Sequence, residues 1–520
     1  MDFFENGDSE FSGYNLSELQ VDEAYLNVTT LTDGVNVYFL SSDCHECPLT
    51  FIRSIVANKS EIIRFSTKHN SLWRFYNDND SQYRSVSDNS SFICEVKENF
   101  GQFGIYELVI DERGCNFEVK KEHVNIYWSL LAVVVGLVLL FIVSKVGWNI
   151  WKKCAVTNKV DSSNPLEEHE MNTEHVVKKK IRLKSIDAFR GFALCLMIFV
   201  NDGGGQYWFF NHSTWNGLYP ADLLFPWFLW IMGACVTLSS KPFEKSSIKK
   251  STILKNILQR TLLLFIFGLS LNTLGIGPVN VNELRIPGVL QRIAISYGIT
   301  STINAVLPKL QIKPSTPAKY IYVSLPQWIF HIGVLYVYYY LTFHLDVPGC
   351  PSGYLKAGGI QNDGAFANCT GGAAGYIDKI ILGERRLWQN PPLRQMYKTE
   401  PFDPENILGC LTSVFQTFLG LQAGLILACE AQPKLRRYHF AAWGTVLSVL
   451  GLILHFAGLI PLNKNLWSLS FVLVTSGLAF LTLLLFYQLI DVLGLWNGAP
   501  FIYPGTYPFK GPLDFTITEH

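Results

Sequence analysis

Charge is scarce in this chain. Only 16% of its 520 residues are Asp, Glu, Lys or Arg, and 42 anions cancel 42 cations, so no nucleic-acid footprint and no acid-seeking surface is implied. The first residues, Met1-Asp-Phe-Phe-Glu-Asn-Gly-Asp, lack the basic start and the apolar stretch of a secretory signal peptide. Also lacking are a Walker lysine loop, a zinc-binding helix motif and a nucleophile-elbow serine, which leaves ATP hydrolysis, metalloprotease chemistry and serine hydrolysis without local support. What is present is apolar mass. Hydrophobic residues make up 49% of the chain and the mean hydropathy is positive, the profile of a membrane protein.

Residues 1–123 carry Asn-x-Ser/Thr sequons at Asn15, Asn27, Asn58, Asn79 and Asn89, together with Cys44, Cys47, Cys94 and Cys115. Both features suit an oxidising lumen. Cys44-His-Glu-Cys47 could serve a metal or redox site, but no second such pair follows, which favours a disulfide framework. Runs such as Val35-Asn-Val-Tyr-Phe-Leu40 and Phe103-Gly-Ile-Tyr-Glu-Leu-Val-Ile110 alternate apolar with polar residues between turn formers, predicting a β-rich lumenal domain.

The stretch 124–144 is almost free of charge, has aromatic and basic residues at its edges, and matches the roughly 20 residues a bilayer core demands, so 124–147 reads as a first transmembrane helix. Residues 148–185 are polar and end on a basic run, the signature of a cytosolic linker. Further candidate spans lie near 186–202, 221–240, 253–274, 287–307, 321–343, 405–428, 439–460 and 467–490. The predicted fold class is therefore a polytopic α-helical membrane protein of about nine spans, with an N-terminal β-rich lumenal domain. A lumenal amino terminus sends Lys241, Lys245, Lys249, Lys250, Lys309, Lys313, Lys319, Lys434, Arg436 and Arg437 to the cytosol, as the positive-inside rule requires. The same topology places loop 344–404 in the lumen with Cys350, Cys369 and the sequon at Asn368. The six lumenal cysteines allow fifteen pairings, among which the sequence does not choose. Cys154, Cys195, Cys235, Cys410 and Cys429 are expected to be free.

Polar groups at membrane depth are costly and mark functional positions. In Ile186-Asp-Ala-Phe-Arg-Gly-Phe-Ala-Leu-Cys-Leu-Met-Ile-Phe-Val-Asn-Asp-Gly-Gly-Gly205, Asp187 and Arg190 open an apolar segment that closes on Asn201 and Asp202. Asp187 and Arg190 also have the three-residue spacing of an ordinary intrahelical ion pair. The short loop that follows holds His212 among aromatics; a lone histidine is more often a packing residue than a catalyst. Arg260 within the fourth span, and Arg285 and Arg292 in the segment that opens the fifth, are further intramembrane cations. The last two suit phosphate or sulfate oxygens, and equally suit interfacial snorkelling.

Several stretches resemble those of heparan-α-glucosaminide N-acetyltransferases: Ser185-Ile-Asp-Ala-Phe-Arg-Gly191, Asn201-Asp-Gly-Gly-Gly-Gln-Tyr-Trp208, His212-Ser-Thr-Trp-Asn-Gly-Leu218, Ala221-Asp-Leu-Leu-Phe-Pro-Trp-Phe228, Arg285-Ile-Pro-Gly-Val-Leu-Gln-Arg292, Pro348-Gly-Cys-Pro-Ser-Gly-Tyr354, Asn368-Cys-Thr-Gly-Gly-Ala-Ala-Gly-Tyr-Ile-Asp378 and Pro461-Leu-Asn-Lys-Asn-Leu-Trp-Ser468. They cover most of residues 185–505. The resemblance implies a lysosomal, multi-pass acetyltransferase domain at 186–505. It would move acetyl from cytosolic acetyl-CoA to the terminal non-reducing glucosamine of heparan sulfate, with His212 as catalytic residue and Asn201 as its partner. An imidazole titrates near 6.5, so part of it is neutral in a mildly acidic lumen and can act as base toward an ammonium, or accept the acetyl group itself.

Arg190, Arg285 and Arg292 are candidate CoA contacts on electrostatic grounds, and no metal is expected. Expected partners are a heparan sulfate oligosaccharide and membrane lipid, not nucleic acid, with a homodimer as a candidate assembly. The family is expected to carry about two further spans where this chain turns into the atypical polar tail 506–520. Two other readings stand beside this one: a membrane acyltransferase for another sugar, and a secondary transporter, whose sites also use broken helices and glycine-rich breaks.

Overall fold

The computed structural model describes residues 10–506 apart from 32–33, 78–81, 88–91, 112–113, 161–182, 246–248, 274–280 and 308–316. The sequons at Asn79 and Asn89, Lys309, Lys313, most of linker 148–185 and the tail beyond residue 506 lie outside the described residues, as do the side chains of Lys241, Lys245 and Cys154. The chain divides into two compact units. One comprises residues 1–38, 52–79 and 91–182; the other comprises 39–51, 80–90 and 183–520.

The strand-rich part of the chain runs β1 (Glu10–Phe11), β2 (Tyr14–Asn15), β3 (Glu23–Thr30), β4 (Val35–Ser41), β5 (Leu49–Ile55), β6 (Ser60–Ser66), β7 (Ser71–Tyr76), β8 (Tyr83–Arg84), β9 (Phe92–Val96), β10 (Ile105–Asp111) and β11 (Gly114–Lys121). They form a β1-β2 hairpin, a four-stranded sheet in the order β11-β10-β3-β6 and a five-stranded sheet in the order β8-β5-β4-β7-β9. The alternation expected over 103–110 is there on β10, where Ile105, Tyr106, Leu108 and Ile110 are buried while Glu107 and Val109 are partly exposed. The Cys94–Cys115 disulfide ties the edge strand β9 to the edge strand β11. This unit ends in α1 (Ile126–Val160), whose stretch Tyr127–Ser144 has a mean hydropathy of 2.5 and no buried share, as a lipid-facing span would. The helix continues past that apolar stretch to Val160.

The second unit is helical: α2 (Lys184–Asn201), α3 (Leu224–Lys245), α4 (Lys250–Thr273), α5 (Val289–Val306), α6 (Pro317–Val323), α7 (Leu325–His344), α8 (Ala373–Leu382), α9 (Pro392–Tyr397), α10 (Ile407–Cys429), α11 (Pro433–Phe456), α12 (Leu469–Phe486) and α13 (Ile502–Thr506). Among the described residues, six helices are long and apolar enough to cross a membrane: those containing Tyr127–Ser144, Pro220–Ser239, Lys250–Thr273, Ile407–Cys429, Pro433–Phe456 and Leu469–Val492. They match six of the nine expected segments and establish a multi-pass helical membrane protein. The other three expected segments also fold as helices, α2, α5 and α7. Lys184, Asp187 and Arg190 in α2, Gln291 and Arg292 in α5, and Gln327, His331 and a tyrosine cluster in α7 dilute their apolar character.

The core of this unit is the α3/α10 crossing, built on missing side chains. A Cβ on Gly233 would fall 1.9 Å from the Thr417 carbonyl oxygen, and one on Gly420 would fall 1.9 Å from that of Trp230. Gly420 and Gly424 sit four residues apart on α10, the spacing that lets helix backbones meet in a bilayer. Gly191 of α2 meets α13 in the same way, against the Phe501 carbonyl. Around α3 and α10, Trp227, Trp230, Phe189, Phe418, Phe471 and Phe480 close a continuous buried core.

Candidate active site

The loop between α2 and α3 begins with a sharp reversal. Gly203, Gly204 and Gly205 have φ of 96°, 58° and 66°, a left-handed run that residues with a Cβ rarely adopt. A Cβ on Gly204 would also strike the Phe210 side chain at 2.7 Å. The glycines thus turn the chain back so that residues 207–219 pack as an aromatic loop, with Trp208 edge-on to Tyr219 at 5.6 Å.

Asp222 organises that loop from the short turn Pro220–Leu223 ahead of α3. Its carboxylate is fully buried. One oxygen accepts the Ser213 and Tyr219 backbone N–H groups at 3.2 and 3.1 Å; the other lies 2.8 Å from His212 Nδ1. A buried ionised carboxylate is tolerated only when its lone pairs are filled, and here they are. The imidazole itself is half-exposed, at 49% for the His212 side chain. A carboxylate on Nδ1 favours the tautomer with Nδ1–H, leaving the Nε2 lone pair free for a base or a nucleophile.

A third charged group completes the site. Lys464 Nζ lies 2.8 Å from His212 Nδ1 and 3.4 Å from Asp222 Oδ1. Burial pulls the Lys464 ammonium below its ordinary pKa against the opposing pull of Asp222. The loop that carries it is clasped to the histidine loop: Gly217 N–H donates to Leu462 O at 2.9 Å, Asn463 Nδ2 to Asn216 Oδ1 at 3.2 Å, and Asn465 Nδ2 to Thr214 O at 2.9 Å. From the other side, the Thr214 hydroxyl donates to Asp43, and Trp215 Nε1 donates to Leu355 O at 3.1 Å. Asp43 precedes the Cys44–Cys47 disulfide, and both cysteines pack in one buried cluster with Trp215, Tyr397 and Phe402. That pairing, Cys94–Cys115 and Cys350–Cys369 select one of the fifteen connectivities of the six cysteines.

The expected site residues fall in different places. Asn201 is the exposed last residue of α2, just before the glycine reversal, and among the described residues no hydrogen bond joins it to His212. Arg190 binds within its own surroundings: its Nε donates to Gly505 O at 2.8 Å and its NH2 to Asp187 Oδ1 at 2.9 Å, the anticipated intrahelical pair. Arg285 forks onto Asp403 at 2.7 and 2.8 Å, reaches Glu405 at 2.8 Å and lies over the Trp388 ring. Arg292 is 1% exposed; it donates to the Pro404 and Asn406 carbonyls at 3.1 Å and faces the Trp467 ring at 4.5 Å. Asp222 and Lys464 were not among the residues singled out for chemistry. Their signals are an acid at the mouth of an apolar span, and a lysine on the side of the membrane where the expected topology puts few cations.

The fold defines a class, the multi-pass helical membrane proteins, and the carboxylate-braced, half-exposed imidazole is a group able to take a proton or an acyl group. Comparison with known proteins narrows it. The family model described as heparan-alpha-glucosaminide N-acetyltransferase, catalytic, matches residues 182–340. Human heparan-alpha-glucosaminide N-acetyltransferase is 34% identical over 539 residues, covering 94% of this chain and 80% of the relative. The mouse protein of the same name is 35% identical over 536 residues with the same coverage. The chain belongs to the heparan-α-glucosaminide N-acetyltransferase family.

Proposed function

We propose that this protein transfers acetyl from cytosolic acetyl-CoA to the terminal non-reducing glucosamine of heparan sulfate, in the lysosomal membrane, with His212 on the lumenal side. The observation that carries the mechanism is the His212–Asp222 pair. Asp222 holds Nδ1–H, and Nε2 takes the proton that the glucosamine ammonium must lose before its nitrogen can attack the thioester carbonyl carbon. The C–S bond then breaks and CoA leaves as thiolate. In the ping-pong form of the reaction, Nε2 instead receives the acetyl group first and the amine attacks acetyl-His212. Asn201, at the end of α2, serves as amide donor to the developing oxyanion.

On the donor side, Arg190 at the opposite end of α2 from Asn201 is the cation this reading assigns to CoA. All three candidate arginines already meet protein acceptors, and Arg190, with its side chain 30% exposed, is more open than Arg285 at 25% or the buried Arg292. The topology that sends Lys249, Lys250, Lys434, Arg436 and Arg437 to the cytosol puts the loops around His212 and Lys464 in the lumen. Glycosylation at the lumenal sequons belongs to the same reading; Asn368 is exposed and open to it. Membership of an acetyltransferase family weighs against a secondary transporter, while an acyltransferase for another sugar remains the rival acceptor.

Acetyl transfer from labelled acetyl-CoA to glucosamine, in membranes expressing the full chain, tests the reading. Wild type is expected to transfer, and His212→Ala to lose roughly 10²- to 10⁴-fold, the usual worth of a positioned base. Activity retained in His212→Ala removes His212 from its role, and no transfer in either overturns the acetyltransferase reading.

A further inference from the structure

The two contacts to His212 Nδ1 cannot both be made by the same tautomer. The Asp222 carboxylate, 2.8 Å away, can only accept, so that contact requires a proton on Nδ1. The Lys464 ammonium, also 2.8 Å away, can only donate, so that contact requires the bare Nδ1 lone pair. Nδ1 offers one in-plane direction, and two groups of opposite demand converge on it. Lys464 has an alternative partner, since its Nζ lies 3.4 Å from the same Asp222 oxygen. It can therefore release the ring without losing its ion pair.

We propose that Lys464 is a positioning residue that makes both neutral tautomers of His212 accessible, resting on the reading of His212 as the group that serves acetyl transfer. When Asp222 holds Nδ1–H, the ring presents a bare Nε2 and is a base. When Lys464 donates to Nδ1, the ring presents Nε2–H and is a hydrogen-bond donor, able to polarise the acetyl carbonyl. One imidazole thereby serves two moments of the reaction without moving.

The surroundings support an adjustable lysine rather than a fixed ion pair. The Lys464 side chain is 16% exposed; desolvation works against its charge and the Asp222 carboxylate beside it works for it. Glu405 adds a smaller stabilising field and Arg292 a smaller opposing one, while Asp43 stands behind Thr214 on the far side of the histidine loop. The backbone around Lys464 is held by the Asn463 and Asn465 contacts, so its ammonium is delivered to this place by the fold and not by chance of a long side chain.

The test uses the full chain in lipid, labelled with ¹⁵N at histidine, with the His212 signal assigned by its loss in His212→Gln. Wild type is expected to show both tautomers, Lys464→Met only the Nδ1–H form, and Asp222→Asn a shift toward Nε2–H. In the acetyl-transfer assay, Lys464→Met is expected to lower kcat about 10-fold, the order of one hydrogen bond to a charged donor, with KM for glucosamine and for acetyl-CoA unchanged. Lys464→Arg should recover most of that loss. An unchanged ¹⁵N spectrum in Lys464→Met overturns the proposal, and so does a loss expressed in KM, which would make Lys464 a substrate contact. If wild type transfers no acetyl at all, the functional reading fails while the spectra still decide whether Lys464 sets the tautomer.

Discussion

Asp222, Asp403 and Asp378 are all fully buried, yet each holds a different kind of partner. Asp403 receives the flat fork of Arg285, whose remaining reach is taken by Glu405 and whose face is covered by Trp388. Two of its nitrogens and one face are engaged at once, and such a pair fixes backbone. Asp222 receives a histidine by one nitrogen and leaves half of the ring open to the outside. Asp378 has no ion pair among the described residues, only the weaker field of Arg292: one oxygen accepts the Ile407 N–H at 3.0 Å, at the start of α10, and the other has no hydrogen-bond partner there. Burial pushes its carboxyl up to about 7. The difference lies in how much of the partner remains unspent: a cation held on two nitrogens and one face builds structure, a half-engaged imidazole is free to react, and a carboxyl without an ion pair keeps its proton.

The largest effect is expected where the partner is half engaged. Asp222→Asn keeps shape but can present an amide to Nδ1, and acetyl transfer should fall on the order of 10²- to 10⁴-fold with little change in KM. A loss under tenfold would mean that the His212 ring is oriented by something else. Next comes Arg285→Ala, which strands a buried carboxylate. Removing one partner of a buried pair costs several kcal/mol; with the guanidinium a quarter exposed, about 3 kcal/mol of stability is expected, read by thermal unfolding in detergent. Activity per folded molecule should hold. A rise in KM for acetyl-CoA at unchanged stability would instead restore Arg285 as a phosphate contact.

The smallest effect is a slope. The folded Asp378 carboxyl titrates near 7 and the unfolded one near 3.8, so between these values the folded chain holds a proton that the unfolded chain has released. Stability from this group is full below about 4, declines as pH rises toward 7, and levels off above. Asp378→Asn mimics the protonated form and should flatten that part of the profile. An unchanged profile would show that Asp378 is ionised in the fold.

Local pattern carried much of the architecture. Alternation on β4 and β10 and the apolar lengths of α1, α3, α4, α10, α11 and α12 are properties of short windows, and they were legible there. The site was not, except through resemblance. His212 meets Asp222 across a loop whose shape depends on three left-handed glycines, and it meets Lys464 across 252 residues of sequence. Arg285 read as an open anion site because its two carboxylates lie 118 and 120 residues further on. The disulfide pairing was equally invisible, since only the fold decides which of six sulfurs are neighbours.

The segment 39–51 belongs to the helical unit although strands surround it in the sequence. That makes the unit carrying His212 non-contiguous, with residues 39–51 and 80–90 encoded ahead of 183–520. A gene cut at the change of composition near residue 123 would therefore not yield a self-sufficient catalytic fragment. It would leave the Tyr397 hydroxyl without Asp43 and Trp215 without the disulfide it packs beside. A peptide spanning 39–51 supplied in trans is the natural complement to such a fragment.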